Sequence, residues 1–355
     1  MVRENKKIGV IALPVERLHI ELTSFCNFSC EFCPDSRMQR KRGFMDFDML
    51  KDILSEVKEE GIAKSVFFHV MGEPLLYPKL FDAISYAKGK DISTCVTTNG
   101  GLLTTEYLNN MVQAGLSTII LSLQTPDKDS FRLRGVNSIS FDEYSERIKA
   151  IAQEVIKNRS INLRIDFLSS PLRRLIIPIA KEVSISDTSA KLRAHLKLWA
   201  EKILKNTPLE NCLPDVVKQI KKAKSFKENS ILITDNLSFH TRIVGDWATH
   251  FNNKIVKARF GYCPGIQENF GILWDGGYTF CCTDFDGRTS THNYKDTPIK
   301  DYLSHEMVQG IVKGFNRFKV IHPYCRQCLG DRSILNTFVK QIGSIVYFKW
   351  FRKYE

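Results

Sequence analysis

Residues 17–33 read RLHIELTSFCNFSCEFC. Arg17 to Leu22 has the character of a strand, and it runs straight into Cys26, Cys30 and Cys33. Structural zinc is usually closed by four protein ligands, commonly as two separated pairs. Three thiols on one short loop suit a compact inorganic cube better than a single tetrahedral ion. A [4Fe–4S] cluster is normally held by four cysteines, so three leave one iron open to a small molecule.

Outward from this stretch, strand-like and helix-like runs alternate about five times. Asp46 is placed to cap a helix whose apolar positions are Phe47, Leu50, Ile53, Leu54 and Val57, and Gly61 stops it. Strands are expected over 65–70, 92–97, 118–123 and 161–167, and helices over 80–87, 105–114 and 141–156. Such alternation marks a parallel α/β sheet or barrel, where chemistry gathers at the carboxyl ends of strands. The unusual segments fall there: the cysteines, then Met71-Gly72-Glu73-Pro74, then Thr98-Asn99-Gly100. Residues 171–229 are an irregular helical insertion, read as outer helices rather than a lid. Residues 239–244 form a sixth strand, followed by Asp246-Trp247. From about 255 the character changes. A glycine-turn hairpin spans 271–282, a helix is expected over 299–314, and Cys325-Arg326-Gln327-Cys328 follows.

The bulk numbers narrow the class. The chain has 355 residues, 43% hydrophobic and 25% charged, which is ordinary globular composition. No apolar run approaches the roughly 18 residues that span a bilayer, and the run Ile8 to Leu13 is cut short by Pro14, so no signal peptide is read. A cytoplasmic location is expected. Ten cysteines in tight clusters then point to metal or catalytic thiols rather than disulfides. The net charge of +12 is partly carried by Lys218, Lys221, Lys222, Lys224 and Lys227, read as a solvated face. No nucleic-acid motif accompanies it. The stretch 346–354 mixes aromatic and basic residues. It is expected to dock on the protein's own core, with contact to a membrane surface as the alternative.

The spacing Cys26-x3-Cys30-x2-Cys33 after a first strand, with Phe32 before the third cysteine, resembles the radical S-adenosylmethionine (radical SAM) superfamily. Gly72-Glu73-Pro74 resembles its Gly-Gly-Glu-Pro motif, with Met71 in place of the first glycine. Ser122 resembles its ribose- or carboxylate-contacting residue, and Arg134-Gly135 resembles a frequent Arg-Gly pair. Gln124 replaces a frequent aspartate. The resemblance implies a partial (β/α)6 TIM-like barrel over 16–254. It implies an open iron that chelates the methionine moiety of the cofactor, and reductive cleavage to a 5′-deoxyadenosyl radical that takes a hydrogen atom from substrate. Phe32, Gly72, Glu73, Asn99, Ser122 and Arg134 are the candidate cofactor-binding residues, and Cys26, Cys30 and Cys33 the candidate ligands.

The run from Asp275 to Cys281 resembles the Gly-x4-Cys hairpin of the superfamily's auxiliary-cluster (SPASM and twitch) domains. The resemblance implies a small C-terminal α+β domain over 255–335, after an N-terminal segment 1–15 and the core, and before a basic aromatic tail 336–355. It also implies a second [4Fe–4S] cluster held by Cys263, Cys281, Cys325 and Cys328. Neighbours on a strand point to opposite faces; the glycine count selects Cys281, although Gly277 stands in the same relation to Cys282. Zinc is the alternative for a four-cysteine site. Oxidation of a small molecule or carbohydrate is expected, with a peptide-modifying maturase as one alternative and a non-catalytic iron–sulfur or zinc protein as another. His240, Arg242, Asp246 and Asp284 are the candidates for the proton acceptor. A flavodoxin- or ferredoxin-type protein is the expected electron donor.

Overall fold

The computed structural model describes residues 6–170, 184–244 and 254–351. After a short ribbon of β1 (Lys7–Ile8) and β2 (Ile11–Ala12), the chain builds β3 (Val15–Ile20), β4 (Ala63–Phe68), β5 (Ser93–Thr98), β6 (Thr118–Gln124), β7 (Asn162–Ser169), β8 (Asn229–Thr234), β9 (Leu237–Ile243), β10 (Asn269–Ile272) and β11 (Tyr278–Thr279). Nine of these form one sheet in the order β11-β10-β3-β4-β5-β6-β7-β9-β8. The six strands from β3 to β9 are mutually parallel, as the partial barrel requires. β8 is an additional antiparallel edge strand on β9.

One face of each parallel strand is apolar. Leu18, Val66, Val96, Leu121, Ile165 and Phe239 lie in a single core with the outer helices. The helix Phe47–Glu60 begins where the Asp46 side chain accepts from Met49 N and ends at left-handed Gly61. The helices Leu80–Gly89, Thr105–Gln113 and Phe141–Lys157 fill the following crossovers. The described part of the insertion is an outer layer. Leu192, Leu196, Trp199 and Ile203 of the helix Ser189–Leu204 are buried, Trp199 Nε1 donates to Pro126 O, and Gln153 Nε2 donates to Ile203 O.

The chain departs from the sequence reading at three places beyond 254. The hairpin does not stand apart: β10 adds to β3 in parallel, pairing Gly271 with His19 and Ile272 with Ile20, so the barrel sheet runs on into this segment. A free strand edge leaves its pairing to any strand of suitable register, which local sequence does not record. The single helix expected over 299–314 is two, Ile299–Ser304 and Glu306–Asn316, because His305 is extended and its side chain caps the second. The tail is not a separate unit, since the helix Ile334–Val346 runs across its expected start at 336.

A buried ion pair joins these parts. Arg40 donates twice to the Glu21 carboxylate, at 2.7 and 2.5 Å, and through Nε to Phe285 O at 2.8 Å. Glu21 also accepts from Met71 N and Trp274 N. The end of β3, the cysteine loop, the end of β4 and the hairpin thus meet on one carboxylate that is fully buried. Burial pushes that carboxyl up, and Arg40 opposes the shift. Replacing one partner strands the other charge. Arg40→Met is therefore expected to cost about 3–5 kcal/mol in chemical denaturation, while Glu21→Gln combined with Arg40→Met recovers much of the loss. Equal loss in the single and double variants would overturn the pairing argument.

Candidate functional site

The cysteine loop sits at the carboxyl ends of β3 to β6. Its backbone is stitched to a second loop, Ser29 N donating to Arg134 O and Glu31 N to Leu133 O. The turn after β4 closes on it from the other side, where Glu73 N donates to Phe25 O. Gly72 is demanded there twice. Its φ is +75°, and a Cβ would stand 2.3 Å from Thr23 O. Met71, which replaces the first glycine of the resembled motif, is buried with Val70, Leu273 and Phe285, and Cys33 and Met38 pack on this group. Its side chain fills the joint between the cysteine loop and the hairpin. Arg42 closes the loop by donating twice to the Asp35 carboxylate and once to Ser24 O.

Burial pushes the Cys26 thiol up to about 11 and the Cys33 thiol up to about 12, and raises Cys30 as well. The three are also near enough to raise one another. As free groups they are neutral; a cationic iron centre is the partner that would hold them as thiolates. Among the described residues no group of three or more His, Cys, Asp and Glu side chains could share a single metal ion. Three soft, half-buried thiol donors on one loop suit an iron–sulfur cluster.

Glu73 and Asn99 flank the cysteines. Glu73 is 1% exposed, and its two oxygens accept from Leu75 N and Asn99 N. Asn99 Nδ2 donates to Asn27 Oδ1 at 2.7 Å and reaches Cys26 Sγ at 3.7 Å. Burial lifts the Glu73 carboxyl to about 7. Arg134 is fully buried. Its guanidinium donates to Ser122 O, Gln124 Oε1 and Asn99 O and stacks 4.9 Å over the Phe28 ring. It acts as a positioning residue that ties the ends of β5 and β6 to the cysteine loop. Ser122 lies half-buried on β6, on the face opposite the core residues Leu121 and Leu123. Phe32 packs with Leu133, Leu168 and Ile185.

The second cysteine set gathers beyond the hairpin. Cys325 and Cys328 lie on one helical turn, Pro323–Cys328. The Cys325 thiol is raised by burial and by Cys263, Cys281 and Cys328, and Cys281 by burial, Cys263, Cys282 and Cys328. Cys263, Cys281, Cys325 and Cys328 are thus near enough for charge on one to be felt by another, as Cys282 is to Cys281. Cys282 is oriented differently: burial raises it while the guanidiniums of Arg242 and Arg17 oppose, and both belong to the strand face turned away from the helices.

That face is polar. Asp166 bridges Arg164 at 2.6 Å and Arg242 at 3.1 Å, Arg17 stacks over Phe67, and His19 Nδ1 lies 3.1 Å from His69 O. Burial first, with the neighbouring positive groups, depresses His19 to about 3 and His69 to about 4. Sequence reasoning missed this wall, although alternation of Arg17, His19 and Glu21 with Leu18 and Ile20 was its signal. Of the four acid–base candidates, Arg242 reaches the wall. His240 lies near Ser230 on the edge strand. Asp284 is buried and takes bonds from Arg288 N, Thr289 N and Thr289 Oγ1, organising its own loop. Asp246 lies outside the described residues.

Residues 20–166 match the family model described as Radical SAM superfamily. The chain is 31% identical over 106 residues to the tungsten-containing aldehyde ferredoxin oxidoreductase cofactor-modifying protein of Pyrococcus furiosus, 30% of either chain. It is 30% identical over 118 residues to the S-adenosyl-L-methionine-dependent 2-deoxy-scyllo-inosamine dehydrogenase of Niallia circulans, 32% of this chain and 47% of that one. These matches span less than half of those curated relatives. Among solved structures, BtrN in complex with AdoMet and 2-DOIA superposes with a TM-score of 0.50 at 14% identity, covering 89% of both chains. Streptococcus suis SuiB bound to the precursor peptide SuiA gives 0.54 at 17% identity, covering 86% of this chain and 68% of that one. Likeness at such identity is one of fold.

Two outcomes test the geometry. Gly72→Ala forces a positive φ on a Cβ and drives it into a carbonyl, and is expected to cost at least about 2 kcal/mol; an unchanged denaturation midpoint would contradict it. Glu73 gives a pH signature. Its folded value of about 7 lies above the ordinary 4.5, so the folded state takes up a proton between them. Wild type should lose stability relative to Glu73→Gln as pH rises from about 5 to 7.5, by up to about 3 kcal/mol, and level off above. A difference that does not vary with pH sinks that reading.

Proposed function

We propose that this chain is a two-cluster radical SAM enzyme that oxidises a small, oxygen-rich molecule such as a carbohydrate. The observation that carries the reading is the site's asymmetry: three half-buried thiols lie beside the Gly72-Glu73 turn, and a separate set of four gathers beyond the hairpin. Cys26, Cys30 and Cys33 hold the first cluster, and Cys263, Cys281, Cys325 and Cys328 the auxiliary one. The cluster and S-adenosylmethionine, when bound, supply a carbon radical that removes a substrate hydrogen atom. Glu73 receives the amino group of the cofactor, since a buried carboxylate that accepts from Leu75 N, Asn99 N and the Thr98 side chain is completed by a cation. Asn99 holds Glu73 and reaches Cys26, and Ser122 presents its hydroxyl from β6 to the ribose or carboxylate. Arg134 holds these strand ends at fixed distance from the loop.

The polar strand face supports the substrate class. Arg17, Arg164 and Arg242 with Asp166 offer charged donors and one acceptor to hydroxyl or acidic groups. His19 and His69, neutral at pH 7, offer weakly basic nitrogens. Cys282 faces this wall while its neighbour Cys281 belongs to the auxiliary set. A substrate radical formed here lies close in the chain to a second electron acceptor, which favours net oxidation. The likeness to the inosamine dehydrogenase agrees with that direction. A flavodoxin- or ferredoxin-type donor, steered by the basic surface, supplies the first electron.

Anaerobic reconstitution tests the assignment. Wild type is expected to hold about eight irons per chain and to form 5′-deoxyadenosine under reduction. Cys26→Ala should abolish that product and keep about four irons. Cys325→Ala should also keep about four, retain uncoupled cofactor cleavage and lose substrate turnover. Zinc in place of iron, or normal turnover by Cys325→Ala, would refute the two-cluster reading.

A further inference from the structure

The helix Ile334–Val346 is folded inside out. Its buried stripe is polar: Thr337, Gln341 and Ser344. Gln341 Oε1 accepts from Arg259 N and Phe260 N, Ser344 Oγ accepts from Tyr262 N, and Thr337 Oγ1 donates to Val256 O. These side chains complete the backbone of residues 256–262, so the helix is oriented largely by hydrogen bonds, with Ile345 also packed on the main core. The opposite stripe is apolar and open to solvent. Ile334 is 78% exposed, Leu335 70%, Phe338 50% and Val339 61%, with Ile342 beside them. The side chains turned outward at 334, 335, 338, 339 and 342 lie within one helical face.

The apolar surface does not stop at the helix. Phe338 meets Phe260 edge-on, and Tyr262 contacts Phe318 and Phe348. Phe318 is 40% exposed, Ile321 49% and Trp350 71%. A contiguous patch of this kind is costly in water and marks a contact surface.

Charge selects the occupant. The exposed residues Lys257, Arg259, Arg317, Lys319, Arg332 and Lys349 come from the same segments, and Phe260 bridges Lys319 directly. From residue 317 to 351 the only acidic side chain is Asp331, and its Oδ1 accepts from Arg332 N. Leu, Ile, Val and Phe at the centre, Trp and Tyr at the margin and cations without counter-charges match an anionic lipid interface. Among the described residues no helix is long and apolar enough to cross a membrane, so the contact is a peripheral one. We propose that the helix Ile334–Val346 and the adjoining aromatic–basic surface seat this protein on an anionic membrane, with the helix lying in the plane of the interface. This inference is independent of the reaction proposed above.

Flotation of the full-length, reconstituted protein with vesicles tests it. Binding to phosphatidylglycerol–phosphatidylcholine vesicles is expected at low salt, at least tenfold stronger than to pure phosphatidylcholine, and weakened at high salt. Phe338→Asp with Val339→Asp should reduce binding tenfold or more while iron content and cofactor cleavage stay unchanged. Arg332→Glu with Lys349→Glu leaves the apolar stripe intact and should reduce binding to the anionic vesicles alone. Trp350 emission should shift to the blue on anionic vesicles, a change absent in Trp350→Phe. The proposal is overturned by no binding, by equal binding to neutral vesicles, or by a dimer that Phe338→Asp disrupts in solution, which would assign the patch to a second copy of the chain.

Discussion

One buried carboxylate sets the relation between the halves of the site. Glu21 ends the first barrel strand, and its four bonds reach the cysteine loop, the β4 turn and the hairpin. A charge with no access to water has to be fully paired, so these segments have little freedom to part. Arg40 is the matching constraint. It satisfies Glu21 and also takes Phe285 O, while Asp286 accepts from Gln39 N and Arg40 N. The cysteine loop is thus anchored from the hairpin as well as from the barrel.

The cysteine loop is held by main-chain bonds more than by side-chain packing. That suits a segment whose thiols have to stay buried and still serve ligands. Without a metal partner, burial leaves Cys26, Cys30 and Cys33 protonated, so loading the site is expected to release protons. The second set follows the same logic with four thiols and a more enclosed position. The two sets share one wall through Cys281 and Cys282, consecutive residues that point to opposite sides.

Much of the core was legible in the chain. The alternation of apolar and polar residues located the six parallel strands, and the caps Asp46 and Gly61 marked a helix that the fold contains. Gly72 and Glu73 stood out by their place after a strand. Their reasons are spatial: a carbonyl 2.3 Å from a hypothetical Cβ, and main-chain donors supplied in part by a residue 26 positions away. Arg134 illustrates the limit. An Arg-Gly pair was visible, yet only folding shows a buried guanidinium spent on strand-end carbonyls.

Short-range periodicity and spacing are local properties, so the sequence by itself determined the α/β alternation, the three-cysteine loop and the two-residue spacing of Cys325 and Cys328. The tertiary structure decided what depends on long-range pairing. It joined β10 to β3 and brought Arg40 onto Glu21. It also decided which face of the helix Ile334–Val346 is buried. Thr337, Gln341 and Ser344 found unpaired backbone groups to satisfy, and a buried polar group left without a partner costs more than an apolar side chain left in water. The polar stripe therefore turned inward and the apolar one outward.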